Sequence, residues 1–205
     1  MGPKIDAPSI LEQREMRQRQ LADAALSLAI SGGVEAVTVS AVSKAAGISR
    51  SSFYEYFSSS ADLVSDLVLE ELALYRARLQ SAIEDAQDPL DHVELWIHEA
   101  LEYVVDGRHM LVKSLNSIAL PEYRKEEIAQ GHRALMGTII EPLQSLGISD
   151  IHAALTYVQN TLDTASIRIE SGNDAGLEIQ LAQKYAVAGL KALADLSLTH
   201  DILWT

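Results

Sequence analysis

A short run of hydroxyl, guanidinium and phenol groups at residues 49–57, Ser-Arg-Ser-Ser-Phe-Tyr-Glu-Tyr-Phe, carries the most specific chemistry in this sequence. Serine hydroxyls and an arginine at the exposed start of a helix suit phosphate oxygens and the edges of bases. Phe53 and Phe57 lie four residues apart, so one helical face is expected to turn both rings toward a core. The run therefore predicts a short helix with a polar tip that fits the major groove of DNA.

A second short helix and a tight turn are predicted directly before this run. Thr38 is a good N-cap residue, and Val42 and Ala46 recur at helical spacing after it. Gly47 stands where a helix ends in a left-handed residue, and Ser49 is placed to cap the helix that follows. Two short helices joined in this way have helix-turn-helix geometry. The spacing alone also fits an ordinary helical hairpin on a protein surface.

A third, longer helix is predicted before these two, over residues 11–31. Leu21 and Ala25 lie on its apolar stripe, and Ser31-Gly32-Gly33 ends it. Its first half carries three arginines within reach of a phosphate backbone, Arg14, Arg17 and Arg19. Because glutamates are interleaved with them, a solvated charged face explains this cluster equally well.

Six segments between residues 12 and 63 follow one another in a specific order and spacing. They are Leu21-Ala22-Asp23-Ala24-Ala25, Gly33, Thr38-Val39, Ala46-Gly47-Ile48-Ser49, Phe53-Tyr54-Glu55-Tyr56-Phe57 and residues 59–63. In this arrangement the region resembles the DNA-binding domain of the TetR (tetracycline-repressor-like) bacterial transcription regulators. The resemblance implies an all-α homodimer, in which a small N-terminal DNA-binding unit joins a larger helical domain that binds an effector and dimerises.

The resemblance also implies which side chains face DNA. Carried over by position, they are Thr38, Ser49, Arg50, Ser51, Tyr54 and Tyr56, the two tyrosines contacting phosphates. Three neighbours complete the predicted DNA-binding set: Arg17, Lys44 and Ser52. The chain departs from the family at Ser60, where a lysine is usual, and this puts one phosphate contact in doubt. It also has Ser43 where alanine is usual and Ser51 where glycine is frequent.

The charge of the chain is divided unevenly along its length. The whole sequence has 16 Lys and Arg against 29 Asp and Glu, a net charge of −13. Residues 1–60 contain six basic and six acidic side chains, so the remainder holds ten basic and 23 acidic ones. The predicted DNA face therefore lies on the part without net negative charge. This pattern favours selective, salt-sensitive binding through two half-sites over tight non-specific binding.

Composition sets bounds on the class of protein. A chain of 205 residues with 48% hydrophobic residues can bury a full core in one or two small domains. It contains no cysteine, which excludes disulfides and agrees with a cytoplasmic protein. No apolar run approaches the ~18–20 residues of a membrane span. Residues 1–10 are expected to be a disordered arm, 11–59 a DNA-binding domain and 60–205 a helical effector-binding and dimerisation domain.

Turn signals beyond residue 60 divide the rest of the chain into helices. The capping box of Ser59 and Asp62 begins the first of them, and Pro142 is expected to kink a later one. The predicted helices cover residues 60–86, 90–106, 109–119, 122–145, 150–171 and 175–197. The predicted fold class is therefore all-α.

The last two predicted helices are expected to form the interface of a homodimer. Apolar residues recur on the first at 151, 154, 155, 158, 162, 165 and 169, and on the second at 181, 188, 192 and 196, with Tyr185. Two such helices from each subunit would form a four-helix bundle about a two-fold axis. The alternative is that these stripes form only the core of a single chain.

A small-molecule site is predicted among the C-terminal helices. Trp96 and Tyr103 lie seven residues apart on the apolar side of one helix. Polar groups on other helices are expected to surround the same space, namely Asn116, Tyr157, Asn160 and Asp163. A mostly apolar pocket with a few polar anchors is typical of ligand sites. The same aromatic stripe also fits plain core packing.

These features predict a sequence-specific DNA-binding regulator, most simply a repressor that a small-molecule effector releases from a roughly palindromic operator. One alternative is a helical protein–protein interaction module without DNA readout. Another is a helix-bundle enzyme or metal protein, because Glu94 and His98 lie four residues apart. No second pair of this kind and no nucleophile motif accompanies them, so no enzymatic activity, metal or cofactor is expected.

Overall fold

The computed structural model describes residues 10–107, 109–114 and 120–202, and within these residues it contains helices and no strand. The fold is all-α, as predicted. The α-helices are α1 (Ile10–Gly32), α2 (Val39–Ala45), α3 (Arg50–Phe53), α4 (Ser60–Ile83), α5 (Pro89–Val105), α6 (His109–Ser114), α7 (Glu122–Met136), α8 (Ile140–Ser145), α9 (Ile151–Glu170) and α10 (Ala175–Ile202). The predicted arm at residues 1–10 lies outside the described residues except for its last member.

Two compact units divide the chain. The first holds the chain up to Glu70 and the segment Leu111–Ile128, and the second holds Glu71–Met110 and the chain from Ala129 onward. Helices α4 and α7 each begin in the first unit and end in the second.

The core of the first unit forms where α1, α2 and α3 present their apolar faces. Leu21, Ala25, Val42 and Phe53 are all fully buried, and Phe57 is 5% exposed. The four-residue spacing of the two phenylalanines places their rings 5.8 Å apart in this core. The predicted inward face of residues 49–57 is therefore confirmed.

The caps that begin α2 and α3 are confirmed. The Thr38 hydroxyl accepts from the amide of Ala41 at 3.2 Å, and the Ser49 hydroxyl accepts from the amide of Ser52 at 3.0 Å. Gly47 has φ +67°, the left-handed conformation that ends the turn between the two helices. Because each cap satisfies an amide that has no partner inside its helix, the two short helices begin at defined residues.

The start of α4 differs in detail from the predicted capping box. The Ser59 hydroxyl accepts from the Asp62 amide at 3.0 Å, as expected. The Asp62 carboxylate reaches back one residue further, to the amide and hydroxyl of Ser58, both at 3.1 Å. The reciprocal bond of the box therefore goes to Ser58 and not to Ser59.

The core of the second unit forms where α5, α9 and α10 pack against one another. Asp88 caps α5 by accepting from the Leu90 amide at 2.7 Å, and Pro89 occupies the first turn, where its missing N–H costs nothing. Trp96 and Ile97 of α5 are buried with Val158 of α9 and Leu190 of α10. Helices α5, α9 and α10 therefore share one apolar core in the second unit.

The predicted helix over residues 122–145 is interrupted rather than merely bent. Helix α7 ends at Met136, a 3-10 turn covers Gly137–Ile139, and α8 follows. Pro142 has no amide hydrogen and its ring would clash with the carbonyl four residues earlier, which lies in this turn. The Thr138 hydroxyl there accepts from the indole nitrogen of Trp96 at 2.7 Å. The proline therefore ends one helix and creates a hydrogen-bonding position facing α5.

The two apolar stripes predicted for the dimer interface differ in their burial. On α9, Ala154, Val158, Leu162 and Ala165 are buried within the chain, so that stripe is intramolecular core and its assignment to the dimer interface was wrong. On α10 the predicted stripe is exposed: Leu181 by 49%, Tyr185 by 75% and Leu196 by 65%. Because α10 buries a different set of residues, including Ile179, Ala182 and Leu190, its predicted stripe points away from the core.

Candidate nucleic-acid interface

The predicted DNA-binding residues form an accessible surface on the first unit. Arg17, Thr38, Lys44, Ser49, Arg50, Ser51 and Tyr54 are exposed, whereas Ser52 and Tyr56 are half-buried. Within the described part of the chain, Lys44 and Arg50 take part in no ion pair. Their charges are thus available to an anionic partner.

The serine hydroxyls at the start of α3 form a small hydrogen-bonded cluster. The Ser49 hydroxyl lies 2.7 Å from that of Ser51 and 3.0 Å from that of Ser52, in addition to capping the Ser52 amide. Ser49 therefore positions the helix start, while Arg50 and Ser51 present the accessible groups at its tip. The sequence predicts a cap and a DNA contact for Ser49, and DNA contacts for Ser51 and Ser52.

Helix α3 is shorter than the predicted helix over residues 49–56. Its α-helical part is Arg50–Phe53, after which the amides of Glu55 and Tyr56 bond to carbonyls three residues back. The tighter turn still buries Phe57, and the Tyr54 ring packs edge-on against Phe53 with centroids 5.7 Å apart. The contact with Phe53 holds one edge of the Tyr54 ring, while the side chain remains 59% exposed.

Arg14 has a role that the sequence did not reveal. From α1 its guanidinium donates to the carbonyl oxygen of Glu55 at 3.1 Å and lies 5.6 Å from the centre of the Tyr56 ring. These two contacts hold the turn that follows α3 and fix the Tyr56 ring. Arg17, in contrast, donates to Gln20 at 2.8 Å on α1 itself. The arginine cluster therefore divides between a structural contact and an exposed charge.

Ser43 is buried on α2, at 2% exposure, and its hydroxyl has no hydrogen-bond partner among the described residues. A buried hydroxyl without a partner loses its bonds to water and gains none in return. The serine, which stands where alanine is usual in the resembling family, therefore destabilises the first unit.

The six predicted ligand-binding residues do not converge on one described cavity. Trp96 and Tyr103 are buried in the second unit, where Tyr103 stacks on Tyr75 with ring centroids 3.8 Å apart. Burial raises the pKa of the Tyr75 phenol, and nearby Glu99 raises it further. The Tyr75 hydroxyl donates to the Ala100 carbonyl at 3.2 Å. This pair is packed like a core.

Three of the four remaining ligand-binding predictions, Tyr157, Asn160 and Asp163, are exposed on α9 in the second unit. Tyr157 and Asn160 line an open groove of about 470 Å³ between α9 and α10, together with Arg168 and Tyr185. Asp163 is exposed and accepts from Gln159 at 2.7 Å on the same helix. Asn116 lies outside the described residues.

Glu94 and His98 are both exposed on α5, and nowhere in the described ranges do three His, Asp or Glu side chains meet as a metal site would require. The described helices include none with the length and apolar character needed to cross a membrane.

Comparison with known families bears directly on the first unit. Residues 21–67 match the family model described as bacterial regulatory proteins, tetR family. The matched residues contain α2, α3 and the start of α4, and so include the exposed tip of α3. The match supports a DNA-binding transcription regulator, and the proteins that this family model describes are regulatory proteins.

Solved structures share the fold over most of this chain. A TetR-family regulator from Streptomyces coelicolor, SCO4454, is 18% identical with a TM-score of 0.69, covering 88% of this chain and 90% of its own. FadR from Bacillus subtilis, solved with stearoyl-CoA, is 21% identical with a TM-score of 0.67, covering 83% and 98%. The superantigen PfiT is 17% identical with a TM-score of 0.68, covering 85% and 96%. At these identities the likeness shows a common fold. The search of curated proteins found no match.

Proposed function

We propose that this protein is a homodimeric repressor of the TetR family that leaves a roughly palindromic operator when a small molecule binds its C-terminal domain. In this proposal residues 11–59 are the DNA-binding domain and residues 60–205 bind the effector and dimerise. The observation that carries the proposal is the accessible, positively charged tip of α3, which Ser49 caps and two buried phenylalanines anchor.

The proposed DNA contacts follow from accessibility and chemistry. Arg50 and Ser51 stand at the exposed tip of α3 and suit the base edges of the major groove. Lys44 and Arg17 supply exposed cations, and Tyr54 a hydroxyl, for phosphates on either side. Two copies of α3 would enter successive major grooves about one helical turn (~34–36 Å) apart. Since each half-site has few cations, both are needed for stable binding at physiological salt.

The proposed subunit interface is the exposed apolar face of α10 together with the neighbouring face of α9. Leu177, Leu181, Tyr185 and Leu196 of α10 are each about half exposed or more, and Tyr157 of α9 is 62% exposed. An apolar surface of this kind on a single chain is typical of a region that a second molecule covers. A two-fold axis through it would bring identical faces together.

The effector is proposed to be a small molecule, without a class assigned to it. FadR from Bacillus subtilis was solved with stearoyl-CoA, which establishes only that this fold accommodates a bound effector in that protein. Trp96 and Tyr103 stay our candidates for lining such a site, as does Asn116. Tyr157, Asn160 and Asp163 fit the proposed subunit interface better, because they lie on the outer face of α9.

Selection of bound duplexes from a random library with the purified full-length chain tests the DNA proposal. We expect an enriched, inverted-repeat sequence that Arg50→Ala binds roughly 5- to 150-fold more weakly, since a bidentate base contact contributes ~1–3 kcal/mol. Arg19→Ala, an exposed arginine outside the proposed contact set, is the control. A library that shows no enrichment at moderate salt would overturn the proposal. The same proposal includes a cytoplasmic location, because the operator lies on the bacterial chromosome. It also includes the lack of enzymatic activity.

A further inference from the structure

The start of α4 and the start of α7 are joined by a cluster of charges inside the first unit. Arg124, at the beginning of α7, donates from Nε to Oδ1 of Asp62 at 2.7 Å, and a second guanidinium nitrogen reaches the same oxygen. Its remaining nitrogen lies 2.8 Å from Asp66 Oδ1 and 2.9 Å from Glu127 Oε2. One cation thus holds three carboxylates from two helices.

The two carboxylate oxygens of Asp62 accept hydrogen bonds from different donors. Oδ2 accepts the amide and hydroxyl of Ser58 and so fixes the junction between α3 and α4. Oδ1 accepts from Arg124 and, at 3.3 Å, from the hydroxyl of Tyr123. Burial raises the pKa of Asp62, but the bonds from Arg124 and Ser58 outweigh it and hold the pKa below its usual value. The residue that positions the junction next to Phe57 is therefore itself positioned from α7.

The salt bridge between Arg124 and Asp62 is largely shielded from water, with side-chain exposures of 14% and 12%. Removing the arginine would leave the Asp62 carboxylate without its compensating charge, beside two further carboxylates. Removing one partner of an exposed surface salt bridge costs little stability, because water solvates the remaining charge. Lys125, the next residue, forms such a pair with Glu122 and has 54% side-chain exposure.

Helix α7 also has a defined contact at its other end. It leaves the first unit at Ile128 and leads to the 3-10 turn in which Thr138 accepts from Trp96 in the second unit. We propose that Arg124 is a positioning residue that links operator binding to the Trp96–Thr138 contact through α7, as a second route beside α4. The proposal rests on the DNA contacts proposed above.

Thermodynamic coupling is reciprocal, so the link can be tested from the DNA side with no effector in hand. The chain has two tryptophans, Trp96 and Trp204, and Trp204→Phe leaves Trp96 as the sole indole reporter. The probe is the duplex selected by the wild-type protein. We expect its addition to change the Trp96 emission of the Trp204→Phe protein and of its Lys125→Gln derivative.

Arg124→Gln in the same background should bind the duplex about fivefold or more weakly and, at saturating duplex, show no emission change. Arg124→Lys keeps the charge but loses the two-nitrogen contact with Asp62, and should lose most of the emission change. If Arg124→Gln fails to fold, Arg124→Lys provides the test in its place. Loss of the response with retained duplex binding separates coupling from mere structural support.

Two results would overturn the inference while leaving the proposed function intact. One is that duplex binds the Trp204→Phe protein without any change in emission. The other is that Arg124→Gln keeps the full change at saturation, which would assign the transmission to α4 alone. A wild-type chain that selects no duplex instead defeats the proposed function, and this inference with it.

Discussion

Arg14 of α1 donates a hydrogen bond to the Glu55 carbonyl at 3.1 Å and at the same time lies beside the ring of Tyr56. These two contacts join the first helix of the DNA-binding unit to the end of α3. In the proposed complex the arginine would therefore act on DNA binding through the tyrosine, without a phosphate contact of its own. This distinguishes it from Arg17, whose guanidinium donates to Gln20 of the same helix.

Replacing Arg14 by glutamine should weaken operator binding by about 1 kcal/mol, roughly fivefold, because Tyr56 loses its cation and the end of α3 loses a hydrogen bond. The measurement is the dissociation constant for the selected duplex by fluorescence anisotropy. Arg19→Gln, which changes an exposed arginine of the same helix, controls for the lost charge. Equal effects of the two variants would show that only net charge matters.

Ser43→Ala should stabilise the protein by about 1 kcal/mol, since it removes a buried hydroxyl that has no described partner. The free energy of unfolding can be measured with urea, and duplex binding should stay as in the wild type. Ser40→Ala removes an exposed hydroxyl from the same helix and should change stability far less. A Ser43→Ala protein less stable than the wild type would mean that the hydroxyl has a partner, such as a buried water.

Leu181→Glu should convert the proposed dimer to a monomer, because it introduces a carboxylate into the centre of the exposed α10 face. Sedimentation velocity at micromolar concentration reports the change, and duplex affinity should fall with it as the second half-site is lost. Leu95→Glu, an exposed leucine of α5, is the matched control. A dimer that survives Leu181→Glu places the interface elsewhere.

The ion pair of Arg168 and Glu178 joins α9 to α10 through two contacts of 2.8 Å. The hydrogen bond from Arg168 lowers the pKa of the Glu178 carboxyl below its usual value. A carboxyl whose pKa is lower in the folded state stabilises the protein above its unfolded pKa and loses this contribution as pH falls through the folded value. The stability difference between wild type and Glu178→Gln should therefore be present at pH 7 and shrink toward pH 3.

Urea unfolding across this pH range provides the measurement. Glu122→Gln removes the acid of an exposed pair, with 89% side-chain exposure, and should show little difference at either pH. A constant difference between wild type and Glu178→Gln at both pH values would assign the effect of Glu178 to packing and not to its charge.

Local features of this chain were predictable because they depend on residues close together in sequence. The caps at Thr38 and Ser49, the glycine turn at Gly47 and the inward ring of Phe53 all follow from spacings of five residues or fewer. The bond between Arg124 and Asp62 joins residues 62 apart, and nothing in either local sequence indicates it. The same limit explains why Arg14 was grouped with its neighbouring arginines.

The two last helices show why periodicity alone is an incomplete guide. Apolar residues at helical spacing occur on two faces of α10, and only packing decides which of them is buried. Ala182 and Leu190 face the core, whereas Leu181 and Tyr185, one position or a few away, face outward. On α9 the predicted stripe is the buried one. Sequence identified the stripes but could not assign them to core or surface.

The hydroxyl of Ser49 is held by three contacts inside its own serine cluster, which leaves few side chains at the tip of α3 to distinguish one base from another. Each mismatch at a contacted base pair costs ~1–3 kcal/mol, so in the proposed complex few operator positions would be selected strongly. A few base changes would then be enough to bring a promoter under this regulator or to release it.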